Sequence, residues 1–327
     1  MQELYLGIDV GSVSTNVVLM DNDNRVLEKY YLRTQGQPIQ ILKGALEDIA
    51  SILPETAHIA GIGTTGSGRQ LASVIVGADA VKNEITAHGI AALKSVPEVS
   101  TVLEIGGQDS KIIIIRNGMV SDFAMNTVCA AGTGSFLDRQ ANRLDIPIEE
   151  FGSLALESKC PVRIAGRCAV FAESDMIHKQ QMGCSVEDIV KGLCQALVRN
   201  YLNNVAKGKE ILPKVVFQGG VAANRGIIQA FEEMLNTEVV IPEHYDVMGA
   251  FGAALLAKRE VKKNGITNFR GFKMLDQEFS TNSFECDGCP NLCEIIEIKI
   301  GNKTVARWGD RCGKWHYVLP SQNAVSF

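Results

Sequence analysis

No apolar run in this 327-residue chain approaches the roughly 20 residues needed to cross a bilayer. The longest, Ile112-Ile113-Ile114-Ile115, reads as a buried strand. A basic leader is also missing. The first residues include Glu3 and Asp9, so no secretory signal is expected, and the absence of targeting points to the cytoplasm. Positive charge is not in excess either. With a net charge of −5 and a pI near 5.7, no basic face is implied, and neither nucleic acid nor membrane is an expected partner. Neither of two familiar nucleotide signatures, G-x-x-x-x-G-K-[ST] and G-x-G-x-x-G, is present in proper strand–helix context.

What is present is ordinary core-forming material. Hydrophobic residues make up 46% and charged residues 21%, enough for more than one core, so two domains are expected. "ELYLGIDVGS", "TNVVLMD" and "RVLEKYYLR" read as three strands, with "DNDN" (21–24) as turn chemistry between the second and third. Short links make them an antiparallel meander. Residues 38–52 carry helical spacing through Ile41, Leu42, Ala45, Leu46 and Ile49. The pattern then restarts. "STVLEIGGQDS", "KIIIIRNG" and "MVSDFAMN" form a second set of three strands, followed by helices over about 134–144 and 186–207. Asp9 in the first half corresponds to Glu104 in the second. This weak internal repeat predicts an α/β architecture of two similar lobes with a ligand cleft between them.

Glycine turns close several of these strands and offer backbone N–H groups to a phosphate. "DVGSVST" supplies Gly11, Ser12, Ser14 and Thr15 as donors. "GGQD" supplies Gly106 and Gly107. "QGGVAANRG" supplies Gly219 and Gly220, with Asn224 just beyond, where an adenosine can lie close to backbone. "NTVCAAGTGSF" adds Gly132, Thr133 and Gly134. Asp9, Glu104, Gln108 and Asp109 are the candidate catalytic groups. Asp9 suits a hydrated Mg²⁺, while Gln108 and Asp109 suit an attacking water or the metal's waters. Asp9 and Asp109 also fit a plain turn role. Lys111 and Arg69 read as solvated, Glu173 and Asp175 as surface charges, and His88, His178 and His244 as structural or exposed.

The order "GIDVGS…GIGTTG…LEIGGQD…FQGGVAAN…MGAFGAAL" resembles the actin, Hsp70 and sugar-kinase fold from residue 4 to about 260. The resemblance implies two RNase H-like lobes with ATP between them. It implies that residues 1–86 with 245–262 form one lobe and 87–244 the other.

Cys129 has no use in a kinase of that fold, and a second thiol, Cys168, follows in "GRCAVFAESDMI". Both stand beside expected helix N-termini, whose positive dipole ends favour thiolate, the form that ligates iron. "NTVCAAGTGSFLD" and "CAVFAESDM" resemble the ATP-dependent activators of 2-hydroxyacyl-CoA dehydratases and the related benzoyl-CoA reductase ATPase subunits of the BadF/BadG/BcrA/BcrD family. That resemblance implies a homodimer holding one [4Fe–4S] cluster on its two-fold axis, with Cys129 and Cys168 as each chain's ligands. It implies ATP/ADP and Mg²⁺ as cofactors. It also implies ferredoxin or flavodoxin as electron donor, and a 2-hydroxyacyl-CoA dehydratase or related iron–sulfur reductase as acceptor. The other body cysteines, Cys160, Cys184 and Cys194, read as structural thiols.

After residue 262 the texture changes, and 263–327 read as a separate Cys-rich module. Cys286, Cys289, Cys293 and Cys312 are four soft ligands in a short span, suited to Zn²⁺ or a second Fe–S cluster. Trp308 and Trp315 flank Cys312 as a candidate small core. The expected activity is an ATPase coupled to electron transfer. A small-molecule kinase of the same fold and a non-enzymatic actin-like nucleotide switch remain alternatives.

Overall fold

A computed structural model describes residues 2–126 and 128–318. Packing divides the chain into two compact units, residues up to 87 with those from 249 onward, and residues 88–248. In chain order the first part comprises β1 (Gln2–Val10), β2 (Ser14–Asp21), β3 (Val26–Arg33), α1 (Pro38–Ile52), β4 (Ala57–Thr65), α2 (Arg69–Val76), β5 (Ala80–Val81) and α3 (Glu84–Ser95). The sheet order is β3-β2-β1-β4-β5, with β1 to β3 an antiparallel meander and β4 parallel to β1. The expected turn after β2 forms because Asp21 Oδ1 accepts from the backbones of Asp23 and Arg25, both at 2.8 Å. Leu4, Leu6, Ile8 and Val10 of β1 meet Leu42, Ala45, Leu46 and Ile49 of α1 in one core. Pro38 opens that helix, where its missing N–H costs nothing.

The middle of the chain contributes β6 (Thr101–Ile105), β7 (Ser110–Arg116), β8 (Met119–Asn126), α4 (Gly134–Leu144), α5 (Ile148–Glu157), α6 (Ala169–Gln181), α7 (Val186–Asn204), β9 (Val215–Gln218), α8 (Arg225–Leu235) and β10 (Val239–Val240). Its sheet runs β8-β7-β6-β9-β10, the same order and strand directions as the first. The isoleucine run is buried in β7, as its composition predicts. Ile112 and Ile114 pack with Leu103, Ile105 and the long helix α7. Each fully buried side chain of this kind contributes about 1.5–3 kcal/mol.

Strand register gives the internal repeat a physical form. Asp9 faces Asn16 and Val10 faces Thr15; Glu104 faces Lys111 and Ile105 faces Ser110. The intervening turns close alike, Gly11 N–H on the Ser14 carbonyl at 2.8 Å and Gly106 N–H on the Asp109 carbonyl at 3.0 Å.

The chain then returns to the first unit through α9 (Met248–Asn264). Its small residues let backbone meet sheet, since Gly7 and Gly63 lie directly against Ala250 and Ala253. Beyond it, β11 (Phe279–Glu285), β12 (Glu294–Ile300), β13 (Lys303–Trp308) and β14 (Tyr317–Val318) make an antiparallel sheet. Its Ile298, Val305 and Ala306 pack on Val74 of α2. The compositional break near residue 263 is therefore not a break in packing. Cysteine spacing dominates the reading of this segment and hides its alternating strands. Among the described residues no helix is long and apolar enough to cross a membrane.

Candidate functional site

The two strand-end turns are built on one plan. Gly66, at the end of β4, has φ +90° and stands against the Val10 carbonyl and the Asp9 carboxylate. Gly219, at the end of β9, has φ +91° and stands against the Ile105 carbonyl and the Glu104 carboxylate. Positive φ suits glycine, and here a side chain at either position would also collide with the neighbouring backbone. Each glycine thus holds a carboxylate-bearing strand end close to the turn beside it. Around the first turn Ser12 is exposed, and Gly11, Ser14 and Asp9 are half-buried. Thr15 is buried, with its hydroxyl 3.0 Å from that of Thr34, so it braces the turn from inside.

At the second turn the charges are bound together. Lys111 Nζ lies 3.0 Å from Glu104 Oε2 and 2.7 Å from Asp109 Oδ2. Lys111 is only 3% exposed, which corrects its reading as a solvated residue. Burying a cation this deeply needs such partners. The Tyr201 hydroxyl also donates to the Lys111 carbonyl at 2.6 Å. Next to them, His88 Nδ1 is 2.7 Å from Gln218 Nε2. Burial, with Lys111 as a lesser cause, pushes the His88 imidazole down to about 3. Gln108 at the tip of the turn is exposed.

The 132–134 loop is joined to this turn by backbone. Gly134 N–H donates to the Gly106 carbonyl at 2.9 Å and Ser135 N–H to the Gly107 carbonyl at 2.8 Å. Ser135 Oγ adds a bond to the Gly107 carbonyl at 2.5 Å. Thr133 is buried, with both N–H and hydroxyl on the Ala130 carbonyl. Much of the donor capacity of this loop is therefore spent inside the protein, tying α4 to the Gly106–Gly107 turn.

Cys129 opens the single 3₁₀ turn Ala130–Gly132 that leads into α4. Asn126 shapes its approach: Oδ1 accepts from Val128 and Cys129 N–H, at 3.2 and 2.9 Å, and Nδ2 donates to the Cys129 carbonyl at 2.8 Å. Cys168 caps α6. Both thiols are partly exposed. Asn200 of α7 lies between the two segments. Its Oδ1 is beside Gly132, and its Nδ2 donates to the Gly166 carbonyl at 2.5 Å. Asp175 of α6, expected at the surface, accepts from Ala165 N–H at 2.8 Å and so pins the loop ahead of Cys168. Apolar side chains stand in solvent beside each thiol, Val128 at 94% and Phe171 at 64% exposure. Cys194, in contrast, is a core thiol that burial pushes up to about 12.

Residues 6–257 match the model of the BadF/BadG/BcrA/BcrD ATPase family. The chain belongs to that family. It is 33% identical over 278 residues to the 2-hydroxyisocaproyl-CoA dehydratase activator of Clostridioides difficile, covering 79% of this chain and 96% of that one. It is 35% identical over 263 residues to the (R)-2-hydroxyglutaryl-CoA dehydratase activating ATPase of Acidaminococcus fermentans, covering 79% and 98%. The solved structure of the C. difficile activator with bound ADPNP superimposes with a TM-score of 0.73 at 32% identity, covering 80% of this chain and 97% of that one. The fold is thus the actin-like ATPase fold of two α/β lobes.

The family match ends before β11, so the tail thiols lie outside it. Cys286 N–H donates to the Cys293 carbonyl at 2.8 Å, which brings those two residues side by side. Cys286 Sγ accepts from Trp315 Nε1 at 3.2 Å, Cys312 Sγ donates to Asp310 at 3.5 Å, and Cys289 is exposed. Among the described residues no three His, Cys, Asp or Glu side chains are gathered as a metal site. Trp315 packs edge-on to Phe284 at 5.0 Å and Trp308 joins the core on α2. Asn224, read as a nucleotide contact, caps α8 by accepting from Ile227 N–H at 3.1 Å. Gly220 is exposed next to it. The sequence assigns Asn126 and Asn200 no role and places Lys111 in solvent. Only Lys111 left a signal, as a charge abutting four isoleucines.

Proposed function

We propose that this chain is an ATP-hydrolysing activator that hands a low-potential electron to a partner iron–sulfur enzyme of the 2-hydroxyacyl-CoA dehydratase or related reductase class. The observation that carries the reading is the pair of partly exposed thiols at helix starts in a BadF/BadG/BcrA/BcrD ATPase, one of them joined by backbone to a glycine turn. Nucleotide phosphate is assigned to Gly11, Ser12 and Ser14 and to Gly106 and Gly107, and adenosine to Gly219 and Gly220. Asp9 is assigned to Mg²⁺ through water, and Gln108 and Asp109 to the attacking water. Glu104 and Lys111 hold Asp109 in place. Thr15, Gly132, Thr133, Gly134 and Asn224 support these turns from within.

Cys129 and Cys168 fit a [4Fe–4S] cluster in donor type and exposure. Two thiolates per chain require a second copy, so the active species is a homodimer related by a two-fold axis. The cluster supplies a one-electron carrier when bound. Movement of the Gly106–Gly107 turn with nucleotide state is passed to α4 through Gly134 and Ser135, and so to the turn presenting Cys129. The donor is a reduced ferredoxin or flavodoxin. ATP is hydrolysed to ADP and phosphate as the electron passes to the partner. No step is assigned to the tail thiols, whose Zn²⁺ or second-cluster reading stands on metal content.

Protein purified without oxygen is expected to carry about four iron and four sulfide per dimer, with further iron or zinc only if the tail is loaded. Cys129→Ser or Cys168→Ser should abolish that iron and the electron transfer while ADP affinity is retained. Colourless, iron-free protein with hexose-stimulated ATPase would instead establish the kinase reading.

A further inference from the structure

A cavity of about 840 Å³ in the 88–248 unit is lined by none of the residues assigned to nucleotide or cluster. Its walls are the loop ahead of Cys168, the last turns of α7 and the segment that follows. Arg163, Arg167, Arg199 and Lys207 line it, and no Asp or Glu does. None of these four cations forms an ion pair among the described residues. Such a cluster is unexpected in a chain of net charge −5.

Like charges crowded together repel, and the effect is visible here. Burial, and then the charge of Arg163, hold the Arg199 guanidinium below its ordinary value. Arg199 is nonetheless fixed, its NH2 donating to the Ile164 carbonyl at 2.7 Å. Asn200 also lines the cavity and is 1% exposed, held by its Nδ2 donating to the Gly166 carbonyl at 2.5 Å. Guanidinium groups bind phosphate oxygens two at a time, and the volume falls within the range of small-molecule sites. A concave wall of this size favours a compact polyanion over the face of an acidic protein.

We propose that this cavity binds a small phosphate-bearing polyanion of the pyrophosphate class, held by Arg163, Arg167, Arg199 and Lys207. The site is independent of the electron-transfer reading.

The test is calorimetric titration of inorganic pyrophosphate into the full chain already saturated with ADP, so that the nucleotide site is filled. Saturable one-to-one binding is expected, weakening as salt is raised. The Arg163→Gln/Arg167→Gln pair should weaken it at least about ten-fold with ADP affinity unchanged. Both arginines are exposed, and Lys207→Gln, on a separate segment, gives an independent second variant. Coenzyme A, which carries the same pyrophosphate, separates the sources: tighter binding assigns a bound cofactor, and equal binding assigns free pyrophosphate. No saturable binding at millimolar pyrophosphate, or undiminished binding in both variants, overturns the proposal. Loss of affinity for an acidic redox protein in the variants, with no pyrophosphate binding by the parent chain, overturns it in favour of a docking face.

Discussion

A buried lysine between two carboxylates is the tightest electrostatic commitment in the proposed catalytic turn. Without Lys111, Glu104 would keep its charge in a buried site and face Asp109 across the gap. Lys111→Met should therefore cost about 3–5 kcal/mol of stability in urea unfolding, far more than the loss of an exposed ion pair. A cost under about 1 kcal/mol would show that the pair is not an integral part of the fold. His88 offers a second measurement. The folded protein holds its ring neutral down to about pH 3, whereas the unfolded chain takes up a proton near pH 6.5. The contribution is thus full above pH 6.5 and is lost as pH falls towards 3. Its slope is on the order of 1.4 kcal/mol per pH unit. Unfolding free energy followed from pH 7 to 4 should fall less steeply in His88→Gln by about that slope. Parallel curves for the two proteins would remove the buried neutral imidazole from the account.

Between residues and molecule lie the turns, and these divide by how well the sequence announces them. Strand–glycine turns are legible because alternating burial and glycine are local signals. The equivalence of Asp9 and Glu104 was readable for that reason, and strand register gives it a structural basis. The Lys111 contacts were not readable, because they depend on cross-strand pairing that no single segment encodes. Asn126 and Asn200 act through contacts with loops several residues or a whole helix away, and nothing in their spacing marks them. β11 to β14 were missed because four cysteines and scattered glycines look like a ligand module, while the strands pack on a helix some 200 positions earlier in the chain. Asn126 is the element-scale test, since three hydrogen bonds to the turn that presents Cys129 converge on it. Asn126→Ala should loosen that turn by about 1–3 kcal/mol. Iron retention after gel filtration should drop several-fold, with ADP affinity unchanged. Equal loss of both would mean that the side chain supports the unit as a whole and not the cysteine turn.

At the scale of the molecule, the question is whether the tail is an appendage or part of the first unit's core. The family match stops at residue 257, which alone suggests an appendage. Packing argues otherwise. Val74 of α2 sits against Ile298, Val305 and Ala306, and Phe279 touches both this cluster and the core beneath β1. Ending the chain after Asp276 retains Met274 and removes the β11–β14 sheet, Phe279 included. In the full chain Val74→Ala should cost about 1–2.5 kcal/mol, as for a buried valine losing two methyl groups. In the shortened chain Val74 faces solvent, and the same substitution should cost almost nothing. The difference between the two costs is the coupling energy between tail and α2, and contacting residues typically give about 0.5–3 kcal/mol. Amide exchange in α2 should also quicken in the shortened chain, because its outer face has lost its cover. If Val74→Ala costs the same in both chains and α2 exchange is unchanged, the tail folds by itself. Its four thiols would then have to be explained without any influence on the ATPase unit.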